Sequence, residues 1–137
     1  MTEADLYAFM TQFRLGVLGS VHDGAPQAAL VGIAVTRELE IVFDTVSTSR
    51  KYRNLCVRSA CSLVLGWTGE QTVQYEGRAE QLELPELERY RQIYFKAWPD
   101  GRGHMSWPDI AYFVVRPAWI RFSDFEQSPP FIQEFTF

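Results

Sequence analysis

The sequence predicts a small antiparallel β-barrel with helices packed over its ends. Its predicted elements follow in the order α-β-β-β-α-β-β-α-β-β, in which hairpins dominate. Because β and α segments do not alternate, this order excludes a doubly wound parallel sheet. No glycines are spaced as GxGxxG or as a P-loop, so any phosphate group must be held by another device.

Length and composition indicate one globular domain spanning residues 1–137, with 47% hydrophobic residues. No apolar run approaches the roughly 18 residues of a membrane span. The first five residues are acidic where a secretory signal would be basic, so we expect a cytoplasmic protein. The net charge of -4 argues against a non-specific nucleic-acid binder. Cys56 and Cys61 lie in neither a CxxC pair nor a Cys/His cluster, which predicts reduced thiols and no metal site.

The N-terminal part predicts a helix followed by three strands. Thr2 can cap the helix, whose apolar residues recur at helical spacing. A hairpin follows, with strands over 15–22 and 27–35 and a turn at Asp23-Gly24. A third strand covers 39–43. Small residues crowd the second hairpin strand, and they suit either close approach of a flat ligand or packing of a helix on the sheet. These small residues are Ala28, Ala29, Gly32 and Ala34.

The C-terminal part predicts four further strands and a second long helix. The first two strands cover 59–67 and 71–82, and apolar and polar residues alternate along the second. A helix over 86–97 ends in a loop at 99–103. Two last strands are predicted at 111–115 and 119–124, separated by Pro117. The tail over 127–137 is expected to pack on the barrel or on a second subunit.

The segment from Phe43 to Leu55 joins a predicted strand to a short helix through a hydroxyl-rich turn. Ser49 stands at the N-cap position, and Arg50 and Lys51 follow it at once. Free N–H groups, a hydroxyl and two cations therefore converge on the positive end of a helix, which favours phosphate. The segment from Thr45 to the end of the helix holds four basic residues and no acid. An ordinary capped and solvated helix face is the alternative interpretation.

These motifs resemble the FMN-binding split-barrel family of pyridoxamine 5'-phosphate oxidase. The resemblance covers most of the chain and is most specific at Thr45, at Ser49-Arg50-Lys51, at Asn54-Leu55 and at Glu76-Gly77-Arg78-Ala79. It implies a mainly β fold with flanking helices, a six- to seven-stranded antiparallel split β-barrel of the FMN-binding type. It also implies a homodimer with the cofactor at the subunit interface.

The resemblance further implies where FMN would lie. The phosphate group would meet Thr45, Ser49, Arg50 and Lys51. The isoalloxazine ring would lie along Ala28, Ala29, Leu30 and Val31. Thr72 or Gln74 would supply a polar contact, and Trp119 and Arg121 of the dimer partner could cover the flavin.

The sequence also departs from the oxidases. Gln27 and Gly32 stand where the oxidases have an Arg and a Lys, and no His follows His104, which argues against pyridoxamine phosphate as the substrate. His22 beside the hairpin turn is expected to be a turn residue, and no side chain stands out as an acid or base. We therefore expect an FMN-dependent oxidoreductase acting on an unidentified small molecule. The alternatives are a non-catalytic flavin or haem binding or sensing module and a deazaflavin-dependent reductase.

Overall fold

The computed structural model describes residues 1–137 and contains one curled eight-stranded antiparallel sheet with flanking helices. The α-helices are α1 (Glu3–Met10), α2 (Arg50–Val57) and α3 (Glu86–Ala97), and a 3₁₀ helix covers Pro99–Ser106. The strands are β1 (Leu15–His22), β2 (Ala25–Gly32), β3 (Ala34–Val35), β4 (Ile41–Val46), β5 (Ala60–Leu65), β6 (Gln71–Gln81), β7 (Ile110–Asp124) and β8 (Phe131–Thr136). Their order in the sheet is β2-β1-β5-β6-β7-β4-β3, with β8 also paired to β7. This architecture confirms the predicted mainly β split barrel, with one strand more than the upper predicted count. None of the helices has the length and hydrophobicity of a membrane-spanning segment.

The N-terminal helix forms as its capping residues predict. The Thr2 hydroxyl accepts a hydrogen bond from the Asp5 N–H at 3.1 Å, and the Asp5 carboxylate accepts one from the Thr2 N–H at 2.7 Å. The Thr2 N–H and the Thr2 hydroxyl both donate to this carboxylate, which holds the pKa of Asp5 below its usual value. The apolar face of α1 carries Leu6 and Met10, which are fully buried in the barrel. The helix therefore closes part of the barrel core.

The buried residues form two clusters, one inside the barrel and one beneath α3. Alternate residues of β6, such as Val73 and Tyr75, point into the barrel, as the predicted alternation requires. On the outer side of β4 and β7, α3 buries Tyr90 and Tyr94. The Tyr94 hydroxyl donates to Asp44 at 3.2 Å, and burial together with this carboxylate raises the pKa of Tyr94. The amphipathic face of α3 thus attaches it to the sheet.

Two predicted strands have wrong boundaries, the second hairpin strand and the strand that follows it. The strand predicted over 27–35 ends at Gly32, and β3 pairs with β4 instead. The Trp98 indole N–H donates to the carbonyl of Ile33 at 2.9 Å, and its ring packs against Gly32, which explains the break. The strand predicted over 39–43 begins later, because Leu39 has a positive φ of 62° and belongs to the preceding turn. It also ends later, at Val46, because its pairing with β7 continues through Thr45.

The C-terminal segments also differ from the prediction. The two strands predicted around Pro117 form the single strand β7, and its register with β6 shifts between Glu76 and Gly77. A bulge at this point accommodates a proline that has no N–H for the ladder. The loop predicted at 99–103 lies within the 3₁₀ helix. The tail pairs with β7 as β8, so it packs on the barrel of its own chain.

Candidate functional site

The turn between β4 and α2 presents the positive end of a helix to a cleft. Ser49 caps α2, since its hydroxyl oxygen accepts from the Tyr52 N–H at 3.2 Å. The Thr45 hydroxyl oxygen lies 2.8 Å from that of Ser49, which ties the end of the strand to the cap. The N–H groups of Arg50 and Lys51 have no acceptor within the helix, because they belong to its first turn. The predicted N-cap is therefore confirmed.

A polar network connects α2 to the first hairpin. The side-chain amide oxygen of Gln27, Oε1, accepts from Arg50 Nε and from Asn54 Nδ2, each at 2.9 Å. Asn54 Nδ2 also donates to the Ser20 hydroxyl at 3.0 Å. Asn54 and Ser20 are both buried, with 4% of their surface exposed. The network fixes the position of α2 against β1 and β2.

A cleft of about 230 Å³ opens above this network. Its lining comprises Ser20, Gln27, Ala28, Ala29, Arg50 and Lys51. The lining contains two cations and no carboxylate, so the cleft favours an anionic group. Arg50 uses only its Nε toward a protein acceptor, which leaves both terminal guanidinium nitrogens available to a ligand. Cationic side chains, free helix N–H groups and small neighbours together fit a phosphate ester.

The wall of the cleft formed by β2 is an open edge of the sheet. β2 stands first in the strand order and pairs only with β1. The Ile33 N–H donates to the Arg14 carbonyl at 2.8 Å, so alternation directs the backbone groups of Ala28 and Leu30 away from β1. Ala28 and Ala29 have short side chains, so a flat polar ring can approach this edge. The free backbone N–H and C=O groups of the strand could then form hydrogen bonds with the ring.

The structure distributes the residues predicted to meet the flavin ring over two regions. Ala28 and Ala29 share the cleft with the phosphate turn, whereas Leu30 is 60% exposed and Val31 is buried in the core. The Thr72 hydroxyl donates to the Leu65 carbonyl at 3.1 Å. Thr72 and its neighbour Gln74 lie on β6, three inter-strand spacings or roughly 14 Å from β2. They do not line the cleft of their own chain.

Trp119 and Arg121 are held by the C-terminal strand. The Trp119 indole N–H donates to the Glu134 carboxylate at 3.3 Å, and Arg121 Nη1 lies 3.5 Å from the same carboxylate. Arg121 is paired in register with Gln74, so the two side chains share one face of the sheet. This face, not the cleft, is where both predicted covering residues lie.

That outer face of the sheet carries large apolar side chains that are exposed to solvent. Leu30, Val17 and Val64 are directly opposite one another on β2, β1 and β5 and therefore point the same way. Leu30 and Val64 are exposed, as is Leu15 farther along β1. The open face begins beside the cleft and runs across five strands to Arg121.

The two histidines lie away from the cleft. His104 Nδ1 is 3.2 Å from the Asp44 carboxylate, and its ring stacks on Trp107 with centroids 4.1 Å apart. Asp44 adjoins Thr45 in β4 but points to the opposite face of the strand, toward α3. His22 is exposed at the hairpin turn, 3.4 Å from Asp23. Neither histidine lines the cleft.

Sequence reasoning did not assign Ser20, Gln27 or Asn54 to the site. A two-residue turn at Asp23-Gly24 places Ser20 directly opposite Gln27, a register that the hairpin motif itself specifies. Asn54 follows Arg50 by one helical turn and so shares its face. These spacings are readable in the sequence, although the contact between helix and hairpin is not.

A curled antiparallel barrel, with the cationic start of a helix beside an open strand edge, defines the class of this protein. The chain belongs to the pyridoxamine 5'-phosphate oxidase family, whose model matches residues 2–124. It is similar to a pyridoxine/pyridoxamine 5'-phosphate oxidase of Thermosynechococcus vestitus, with 34% identity over 86 residues. That match covers 62% of this chain and 39% of the relative, so the chain spans well under half of that relative's length.

Solved structures share the fold at low sequence identity. A haem-binding protein from Mycobacterium smegmatis superimposes with a TM-score of 0.80 and 20% identity, covering 98% of this chain and 56% of that one. A pyridoxamine 5'-phosphate oxidase-related FMN-binding protein from Nostoc punctiforme gives 0.68 and 9%, covering 98% and 92%. At these identities the likeness establishes the fold alone.

Proposed function

We propose that this protein is an FMN-binding flavoprotein and an oxidoreductase acting on a small molecule. The observation that carries the proposal is the cleft in which Arg50 and Lys51 at the start of α2 meet the open edge at Ala28 and Ala29. FMN supplies the electron chemistry when bound, and the protein binds and orients it.

The phosphate end of the ligand is assigned to the start of α2. Arg50 offers its two terminal nitrogens, and Lys51 adds a second cation without a competing carboxylate in the lining. The free N–H groups of the first turn add donors suited to a dianion. The Thr45 and Ser49 hydroxyls are hydrogen-bonded to each other, so the pair has one hydroxyl hydrogen left to donate to the ligand.

The ring end is assigned to the edge of β2. Backbone groups of Ala28 and Leu30 face away from β1 and can pair with the polar edge of an isoalloxazine ring. The apolar outer face beside this edge supports a homodimer, since a second copy would cover the exposed Leu30 and Val64. The partner's outer face would then bring its own Gln74, Trp119 and Arg121 toward the ring.

The haem-binding neighbour gives an alternative ligand, which the cleft supports less well. Haem iron is held by imidazole, thiolate, thioether or phenolate side chains. The six residues that line the cleft include none of these groups. A deazaflavin phosphate would use the same anion site as FMN, so spectroscopy of the bound species distinguishes the two.

The test of the proposal has two stages. Purified protein is examined for a flavin absorbance spectrum, and the released ligand is identified by mass; FMN is the expected species. Rapid mixing without oxygen then follows bleaching of bound FMN by reduced nicotinamides and other two-electron donors. Reduction at about 1–1000 per second supports the oxidoreductase. Reduction no faster than that of free FMN with every donor contradicts it and favours a binding or sensing module.

A further inference from the structure

We infer that Gln27 is a positioning residue that aims Arg50 at the anion in the cleft. The inference rests on the proposed function and concerns how the site achieves its preference for a phosphate. Arg50 is exposed and flexible by nature, and Gln27 is its one side-chain partner. Without that partner, the guanidinium group would have to be ordered when the ligand binds.

The orientation of the Gln27 amide follows from the chemistry of its neighbours. Arg50 Nε can only donate, so the atom 2.9 Å away must be the Gln27 carbonyl oxygen. Asn54 Nδ2 donates to the same oxygen, also at 2.9 Å, and to the buried Ser20 hydroxyl. Two donors on one oxygen, one of them from a buried side chain, fix the amide in place.

This arrangement selects how Arg50 presents itself. With Nε engaged by Gln27, the guanidinium plane is held at one edge and its terminal nitrogens remain for the ligand. A neutral amide at this point accepts from Arg50 without neutralising it, whereas a carboxylate would pair with it. Gln27 therefore orders the cation and preserves its charge.

The experiment measures the affinity of apo-protein for FMN and for riboflavin by titration calorimetry, using Gln27→Met alone and combined with Arg50→Ala. Gln27→Met removes the acceptor at nearly constant shape. In the Gln27→Met variant, Arg50 must be ordered when FMN binds. The entropy cost of ordering one long side chain should lower the FMN affinity roughly two- to tenfold. Riboflavin lacks the phosphate, so its affinity should not change. In the Arg50→Ala background, Gln27→Met should have no further effect on FMN, because the group that it positions is gone.

A second variant guards against a purely structural effect. Gln27→Glu keeps an acceptor for Arg50 and Asn54 but adds a negative charge, so it should fold like wild type and lose more FMN affinity than Gln27→Met. Three results would each overturn the positioning role. Gln27→Met could lower FMN affinity equally with and without Arg50, or it could weaken FMN and riboflavin equally. The third result is wild-type FMN affinity in both Gln27 variants. If wild type does not bind FMN, the proposed function fails and this inference fails with it. If wild type binds through Arg50 without coupling to Gln27, only this inference fails.

Discussion

Removing the two cations of the cleft should weaken the binding of FMN. In the variant Arg50→Ala/Lys51→Ala, the cap made by Ser49 and Thr45 remains, so α2 should still form. Each charge-assisted hydrogen bond contributes about 1.5–3 kcal/mol. Because Arg50 is exposed and Lys51 is half-buried, the lower value applies to both, and the loss is about 3 kcal/mol. We therefore expect FMN affinity to fall by a factor of about 150.

Calorimetric titration of apo-protein with FMN measures this loss. The matched control is Arg53→Ala/Arg58→Ala, which removes the same charge from exposed positions of the same segment outside the cleft. The control should bind within about twofold of wild type, since long-range attraction between exposed charges is largely screened at physiological salt. If both double variants weaken FMN equally, net charge and not the cleft governs binding. Wild-type affinity in Arg50→Ala/Lys51→Ala would place the phosphate elsewhere.

Three further predictions concern assembly, thiol reactivity and packing. Light scattering should find a dimer at micromolar concentration, and Val64→Lys on the open face should shift it toward monomer. The control Val57→Lys on α2 should not, although Val57 is the more exposed residue, at 83% against 41% for Val64. A monomeric wild type would contradict the interface. Burial raises the pKa of the Cys61 thiol to about 12, whereas Cys56 is exposed. Since the thiolate is the reactive form, a thiol reagent at pH 8 should modify Cys56 quickly in the native chain and both cysteines after unfolding. Rapid modification of both cysteines in the native chain would refute the burial of Cys61. A Cβ at Gly77 would clash with a backbone carbonyl oxygen of β7, so Gly77→Ala should lower the free energy of unfolding by about 1–3 kcal/mol in urea, and an unchanged midpoint would disprove the clash.

The sequence predicted those elements whose signals are local. The capping residues Thr2 and Ser49 and the turn at Asp23-Gly24 each act on neighbouring residues, and the helices and hairpin that they predict are confirmed. The wrong boundaries arise from contacts between distant residues. Trp98 ends β2 from across the chain, and the bulge at Pro117 depends on the partner strand, so neither could be read from a short window.

The candidate site divides in the same way. Ser49, Arg50 and Lys51 are adjacent in the chain, and a helix N-terminus brings their groups together wherever it forms. The approach of Ala28 and Gln27 to this helix end depends on how α2 packs on the hairpin, and the resemblance to a known family supplied only part of it. The positions of Trp119 and Arg121 relative to the cleft depend on a second copy of the chain, so their role stays a prediction.

Parallel titration of the apo-protein with FMN and with riboflavin measures what the cations of the cleft contribute to binding, because the two ligands differ only in the phosphate group. We expect one FMN bound per chain and an affinity for riboflavin that is weaker by about a hundredfold or more, because riboflavin lacks the contacts to Arg50 and Lys51. Equal affinity for the two ligands, or no binding of FMN at concentrations up to the millimolar range, would contradict this expectation.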